Sequence, residues 1–166
     1  MLHPALRRDA PPPIAPGGRQ PSRRASVLFV CTGNSARSPI AEALLRHRAA
    51  PGVTVTSAGS RPKPRVHPDA VRVLAERFGI DITGQRPRHL DTLAGRRFDR
   101  VITLCDKARE ACPELPDAPR RTHWGIPDPA TVSDADGAGY AALQDIATDI
   151  DTRVRHLLPV LTLDQP

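Results

Sequence analysis

The chain alternates short, wholly apolar runs with stretches whose apolar residues recur every three or four positions. Val27-Leu28-Phe29-Val30 is a continuous apolar run of strand length, the pattern of a strand buried on both faces. Val53-Thr54-Val55-Thr56, Val101-Ile102-Thr103-Leu104 and Arg121-Thr122-His123-Trp124 read as three further strands. Between the first two, Ser38-Pro39 opens a helix, with Ser38 as N-cap, Pro39 at the first helical position and Ile40, Ala43 and Leu44 as its apolar stripe. Ala70, Leu74 and Phe78 lie four apart on a second helix that Gly79 ends. A short helix is expected from Asp106 to about Ala111, closed by Pro113. Leu143, Ile146, Ile150, Val154, Leu157 and Leu161 mark a long amphipathic C-terminal helix. Strands alternating with helices require right-handed crossovers, hence a three-layer α/β fold with a four-stranded parallel sheet. Ligands of such sheets bind outside the carboxyl ends of the strands. Cys31 stands at the carboxyl end of the first strand, directly before a helix.

Composition narrows the picture. The 166 residues suit a single domain, expected over 26–166, preceded by a flexible Pro/Arg-rich tail over 1–25. The net charge of +6 invites a nucleic-acid reading, but five arginines against Asp9 place +4 of it in that tail. The folded part is nearly balanced, so no nucleic-acid partner is expected. No apolar run approaches the roughly 18–20 residues that span a bilayer, and no membrane association is expected. Cys31, Cys105 and Cys112 are an odd set in a chain that shows no secretory signal. A cytoplasmic, reducing setting follows as the expectation, and there cysteines are more often reactive or metal-binding than structural. A zinc site is disfavoured, since a second ligand pair is missing and His123 alone would not complete one.

The segment Cys31-Thr32-Gly33-Asn34-Ser35-Ala36-Arg37-Ser38 carries the chemistry. A loop winding into a helix N-terminus turns several backbone N–H groups inward, and with the positive end of the helix dipole they form an oxyanion site. Gly33 is expected to supply dihedrals that a Cβ forbids, and Asn34 tolerates the left-handed region. Arg37 can grip two oxygens of a tetrahedral anion. The same groups favour a thiolate at Cys31, and Ser38 can donate its hydroxyl to it. A thiolate at the base of an anion cradle suits attack on phosphorus or arsenic. The competing reading is a buried structural cysteine before a glycine turn.

Val27 to Leu44, VLFVCTGNSARSPIAEAL, resembles the signature of the low-molecular-weight protein tyrosine phosphatase superfamily. The likeness continues through Thr56-Ser57-Ala58-Gly59-Ser60 and Asp128-Pro129, over about residues 26–160. It implies a flavodoxin-like strand order of the phosphotyrosine phosphatase I type, with no cofactor. It also implies Asp128 as general acid, with Asp134 and Asp136 as nearby competitors. The superfamily holds phosphatases and arsenate reductases. Cys105 and Cys112, within VITLCDKAREACPELP, look like the redox pair of thioredoxin-coupled arsenate reductases. His123-Trp124-Gly125 resembles that branch too, and Ala130-Thr131 stand where phosphatases usually place aromatics. The resemblance thus implies arsenate reduction by a Cys31/Cys105/Cys112 cascade regenerated by thioredoxin, or alternatively hydrolysis of phosphotyrosine or small phosphoesters through Cys31 alone. A monomer is expected. A mycothiol or other small-thiol reductant, and two buried small hydrophobes in place of a redox pair, stay open. Asn34, Glu42 and Ser57 match a cation site of some reductases, but its acidic position appears as Arg88, and a basic side chain can take the ion's place.

Seven helical steps of about 1.5 Å would separate Cys105 from Cys112 by roughly 10 Å. A disulfide needs Cα atoms within about 7 Å. If residues 106–111 are helical in the reduced protein, they must unwind or bend on oxidation.

Overall fold

A computed structural model describes residues 25–116, 119–129 and 137–163. The expected tail over 1–25 thus lies, but for Ala25, outside the described residues, as do Ala130, Thr131, Asp134 and Asp136. Four strands, β1 (Ser26–Cys31), β2 (Thr54–Gly59), β3 (Arg100–Thr103) and β4 (Arg120–His123), form one sheet in the order β2-β1-β3-β4. Every pairing is parallel, with Phe29 opposite both Ser57 and Ile102 and Thr103 opposite His123. The crossovers carry α1 (Arg37–Arg48), α2 (Pro68–Phe78) and α3 (Asp106–Ala111), and α4 (Ala138–Leu163) closes the chain.

β1 shows why an unbroken apolar run was needed. Successive side chains of a strand point to opposite faces. Val27, Phe29 and Cys31 enter a core shared with Ile40 and Leu44 of α1, Leu74 of α2 and Leu143, Ile150 and Val154 of α4. Leu28 and Val30 enter a smaller core with Val101, Phe98, Leu90, Leu93 and Ala108 of α3. The strand is central and covered on both sides, as its composition predicted. The thin side includes a 3-10 turn at Leu90–Leu93 that the hydrophobic pattern did not announce, because four residues are too few to show a period. α2 stops at Gly79 as expected. β4 is an edge strand whose Arg120 and Arg121 are exposed, a charged edge that resists further pairing.

One expectation about α1 fails. The helix begins at Arg37, with Ala36 as N-cap and no side-chain cap. Ser38 is therefore inside the first turn, not the cap, and Pro39 is not its first residue. The hydroxyl of Ser38 has other partners. No acidic residue stands in that first turn either, so no side chain of the helix itself neutralises its positive end.

Candidate active site

The carboxyl ends of β1 and β3 lie side by side, tied by Leu104 N–H donating to Val30 O at 2.8 Å. From Cys31 the chain turns through residues 32–36 into α1. Asn34 makes that turn at φ 47°, the left-handed region that asparagine tolerates. Gly33 does not use a positive φ, which corrects the dihedral role expected for it. Its need is for space: a Cβ there would stand 3.3 Å from Cγ of Lys63. Gly59, at the end of β2, is the stricter case, since a Cβ there would stand 2.6 Å from Thr32 O, a clash with main chain that cannot swing away.

Cys31 is buried. Its Sγ lies 2.9 Å from Ser38 Oγ and accepts the Asn34 N–H at 3.2 Å. The direction of the Ser38 hydrogen bond follows from its neighbours. Asn34 Oδ1 accepts the Arg88 N–H at 2.8 Å, which fixes the amide so that Nδ2 donates to Ser38 Oγ at 2.8 Å and Ser57 Oγ at 2.9 Å. Ser57 in turn donates to the Glu42 carboxylate at 2.5 Å. Ser38 Oγ, having accepted from Asn34, turns its own hydrogen to Cys31 Sγ. The Asn34 amide is thus the branch point: one of its protons points through Ser38 toward the sulfur, the other through Ser57 toward Glu42.

Glu42 is buried and its carboxylate is satisfied within the protein: Gln85 Nε2 donates at 2.5 Å and the Arg46 guanidinium at 2.7 Å, which also reaches Val55 O. The side chains matched to a cation site, Asn34, Glu42 and Ser57, are thus bound to one another, and the basic group beside them is Arg46. Arg88 joins through its backbone N–H.

Arg37 is buried beside the cradle, donating from Nη1 to Ile126 O at 3.2 Å, with Nη2 at 3.8 Å from Asp128 Oδ1. The half-exposed Asp128 and Arg37 face the cavity from opposite elements, the loop after β4 and α1. That cavity, about 330 Å³, is lined by Cys31, Thr32, Gly33, Ser35, Ala36 and Arg37 on its floor and by Asp128, Pro129, Gly139 and Leu143 on one wall. The other wall is Arg61, Lys63 and His67, basic residues that the sequence reading did not single out. Their signal was the alternation of basic residues in Arg61-Pro62-Lys63-Pro64-Arg65-Val66-His67.

Cys105 and Cys112 bracket α3. Cys105 is its N-cap, with Sγ accepting the Ala108 N–H at 3.4 Å, and the same sulfur lies 3.2 Å from Thr32 Oγ1, in the residue next to Cys31. Cys112 is the C-cap. All three cysteines are free. Burial pushes the Cys112 thiol above its ordinary range, with Arg121 pulling the other way. His123 ties the region together: Nδ1 meets Thr103 Oγ1 at 2.8 Å and Nε2 lies 3.1 Å from Asp106 Oδ1 in the first turn of α3.

A parallel sheet of this order, with a cysteine loop feeding its first helix, defines an α/β enzyme of the low-molecular-weight phosphatase class. The profile of the family described as "Low molecular weight phosphotyrosine protein phosphatase" matches residues 26–165, and the chain belongs to that family. Over 129 residues it is 35% identical to the arsenate reductase of Halalkalibacterium halodurans, covering 78% of this chain and 91% of that protein. Among solved structures it is similar to the thioredoxin-dependent arsenate reductase of Corynebacterium glutamicum, with 34% identity and a TM-score of 0.69 over 88% of this chain and 66% of that one. It is also similar to an arginine phosphatase from Geobacillus stearothermophilus, with 28% identity and a TM-score of 0.68 over 84% of this chain and 94% of that one.

Proposed function

We propose that the protein is an arsenate reductase that passes electrons through three of its own thiols and is regenerated by thioredoxin in the cytoplasm. The observation that carries this reading is the position of Cys105, hydrogen-bonded to the oxyanion loop beside Cys31, with Cys112 one short helix away. A hydrolase that uses only Cys31, Arg37 and an acid has no use for either thiol.

Arsenate sits on the loop amides of residues 32–37 with Arg37 gripping two of its oxygens. The Cys31 thiolate attacks arsenic, and a hydroxide leaves with a proton from Asp128 as water. Arsenic, still As(V), is now bonded to Cys31 sulfur. The Cys105 thiolate attacks that sulfur. The Cys31–arsenic bond breaks, its electron pair stays on arsenic, and arsenite departs as a disulfide forms between Cys31 and Cys105. The Cys112 thiolate then attacks Cys105, restoring the Cys31 thiolate and leaving a Cys105–Cys112 disulfide. Two electrons have moved from two thiols to arsenic, and the dithiol of thioredoxin returns them to the protein.

The last exchange requires motion. Cys105 and Cys112 cap opposite ends of α3, a span of roughly 10 Å along the helix axis. A disulfide demands Cα atoms within about 7 Å, so α3 unwinds when the pair joins.

Arsenite release in the presence of thioredoxin, thioredoxin reductase and NADPH tests the proposal. Turnover is expected in the intact protein and its loss in Cys105→Ser and in Cys112→Ser, with p-nitrophenyl phosphate hydrolysis retained in both. Undiminished arsenite turnover in either variant sinks the cascade. Phosphoester hydrolysis as the sole activity returns the site to the phosphatase reading, for which the Cys31, Arg37 and Asp128 arrangement suffices.

A further inference from the structure

The basic wall of the cavity is not part of the cradle, yet it is built onto it. Residues 60–67 run beside residues 31–35 as a strap joined by main-chain hydrogen bonds. Ser60 N–H donates to Cys31 O at 3.3 Å, Arg61 N–H to Thr32 O at 2.9 Å, Lys63 N–H to Gly33 O at 2.9 Å and His67 N–H to Ser35 O at 2.8 Å. Ser35 Oγ closes the other side on Arg65 O at 3.1 Å. Pro62 and Pro64, which have no N–H to offer, fall between the donors and stiffen the strap.

This fixes the backbone of two basic residues, Arg61 and Lys63, beside the cradle. The aliphatic stem of Lys63 lies along Gly33, where the missing Cβ leaves room for it. Arg61 lines the same wall. His67 Nδ1 accepts the Asp69 N–H at 3.1 Å, so its proton resides on Nε2 and the ring is a donor. Among the described residues, no Phe, Tyr or Trp lines the cavity. A tetrahedral anion on the loop amides fills only the floor of a cavity of about 330 Å³. The remainder is bounded by cations on one wall and by Asp128, Pro129, Gly139 and Leu143 on the other.

We propose that Arg61, Lys63 and His67 form a second anion subsite. It receives a carboxylate or phosphate carried beside the tetrahedral head, so the site takes doubly anionic compounds, a phosphoryl or phosphonyl head joined to a short acidic arm, in preference to heads joined to an aromatic ring or alkyl chain. The wall fits such a ligand because the backbone that carries its basic residues is held by the cradle's own main chain, so the strap does not have to be ordered on binding. The subsite rests on the oxyanion reading of the cradle and is independent of reductase chemistry.

The test is protection of Cys31 from iodoacetamide, read by mass spectrometry of the Cys31 peptide in the full chain. Three probes are compared: orthophosphate, phosphonoacetate and propylphosphonate, the last two alike in head and differing in the carboxylate. Phosphonoacetate is expected to protect at about tenfold lower concentration than propylphosphonate, the worth of one charge-assisted contact, and the gap is expected to narrow with salt. Lys63→Met keeps the stem against Gly33 and deletes the charge. Combined with Arg61→Met it is expected to erase the gap while orthophosphate still protects, which shows the cradle intact. Equal protection by the two phosphonates in the natural protein, or a gap that survives the double substitution, overturns the subsite. Failure of orthophosphate to protect overturns the cradle reading and the subsite with it. Failure of arsenate turnover with the gap present overturns the reductase proposal alone.

Discussion

The sulfur of Cys31 is governed by a line of oriented hydrogen bonds that begins at the Asn34 amide and ends at Ser38. Removing the last link removes a hydrogen bond to a charged acceptor, worth about 1.5–3 kcal/mol. Ser38→Ala is therefore expected to slow alkylation of Cys31 by iodoacetamide at neutral pH at least tenfold and, because buried Asn34 Nδ2 loses an acceptor, to cost about 1–3 kcal/mol of stability as well. Gly59→Ala is expected to act on stability without removing a hydrogen-bond partner of the sulfur. Its Cβ meets the Thr32 carbonyl at 2.6 Å, so strand or loop must move, at about 1–3 kcal/mol. Denaturant unfolding shows that loss directly. Much of this scale was legible in the sequence, because Cys31, Asn34, Arg37 and Ser38 are neighbours in the chain. The Gln85 contact to Glu42 was not. It joins residues 43 apart and depends on the path of the chain around β2. The misplaced helix cap has a local cause: Ser38-Pro39 is a fair start signal, but here the hydroxyl is drawn into the network around the sulfur.

At the scale of elements, α3 is the weak member. It has six residues, one of them buried, and is held by the Cys105 cap, by Asp106 against His123 and by Arg121 donating to Pro113 O at 2.6 Å. Helices this short draw their stability from packing and not from propensity. Amide exchange over residues 105–113 is expected to quicken in the oxidised protein while β1 and β3 keep their protection, and identical exchange in the two redox states refutes the unwinding. The pH dependence follows from Cys112. Burial holds its thiol above the ordinary cysteine range, so folded α3 holds the proton that opened α3 releases more readily. The contribution of Cys112 to the closed helix is therefore complete at neutral pH and declines as pH rises past the ordinary thiol range and through the raised folded value. Hydrogen exchange or thiol-labelling kinetics between pH 7 and 10 are expected to show α3 opening more often at the alkaline end, and Cys112→Ala is expected to flatten that trend. The short helix and its two cysteines could be read from the sequence. That the first cysteine caps the helix and faces the oxyanion loop required the register of β3 against β1.

For the whole molecule, the sheet faces two unequal layers, and the thicker one carries the stability. Leu44, fully buried between β1 and α4, is the test position: Leu44→Ala is expected to cost about 2–5 kcal/mol, seen as a lower denaturant midpoint. The end of α1 is clamped to α4 by a fork from Arg48 to Asp151, with Nε to Oδ1 at 2.6 Å and Nη2 to Oδ2 at 3.1 Å. Two-period and four-period hydrophobic patterns sufficed to foresee the layers and the parallel sheet. The strand order and the strap over residues 60–67 were beyond them, since neither leaves a periodic trace.

The cap on α3 has a consequence for timing. While Cys105 is a thiol, its sulfur caps the helix that keeps Cys112 half-buried. In the proposed cascade, once Cys105 sulfur is spent in a bond to Cys31, that cap is withdrawn, and the helix loses its hold on the distant thiol. The second sulfur would then arm the third only after its own reaction is done. For that proposed sequence the ordering is a ratchet: premature closure of the outer pair, which would strand arsenic on Cys31, is opposed by the reduced protein's own secondary structure.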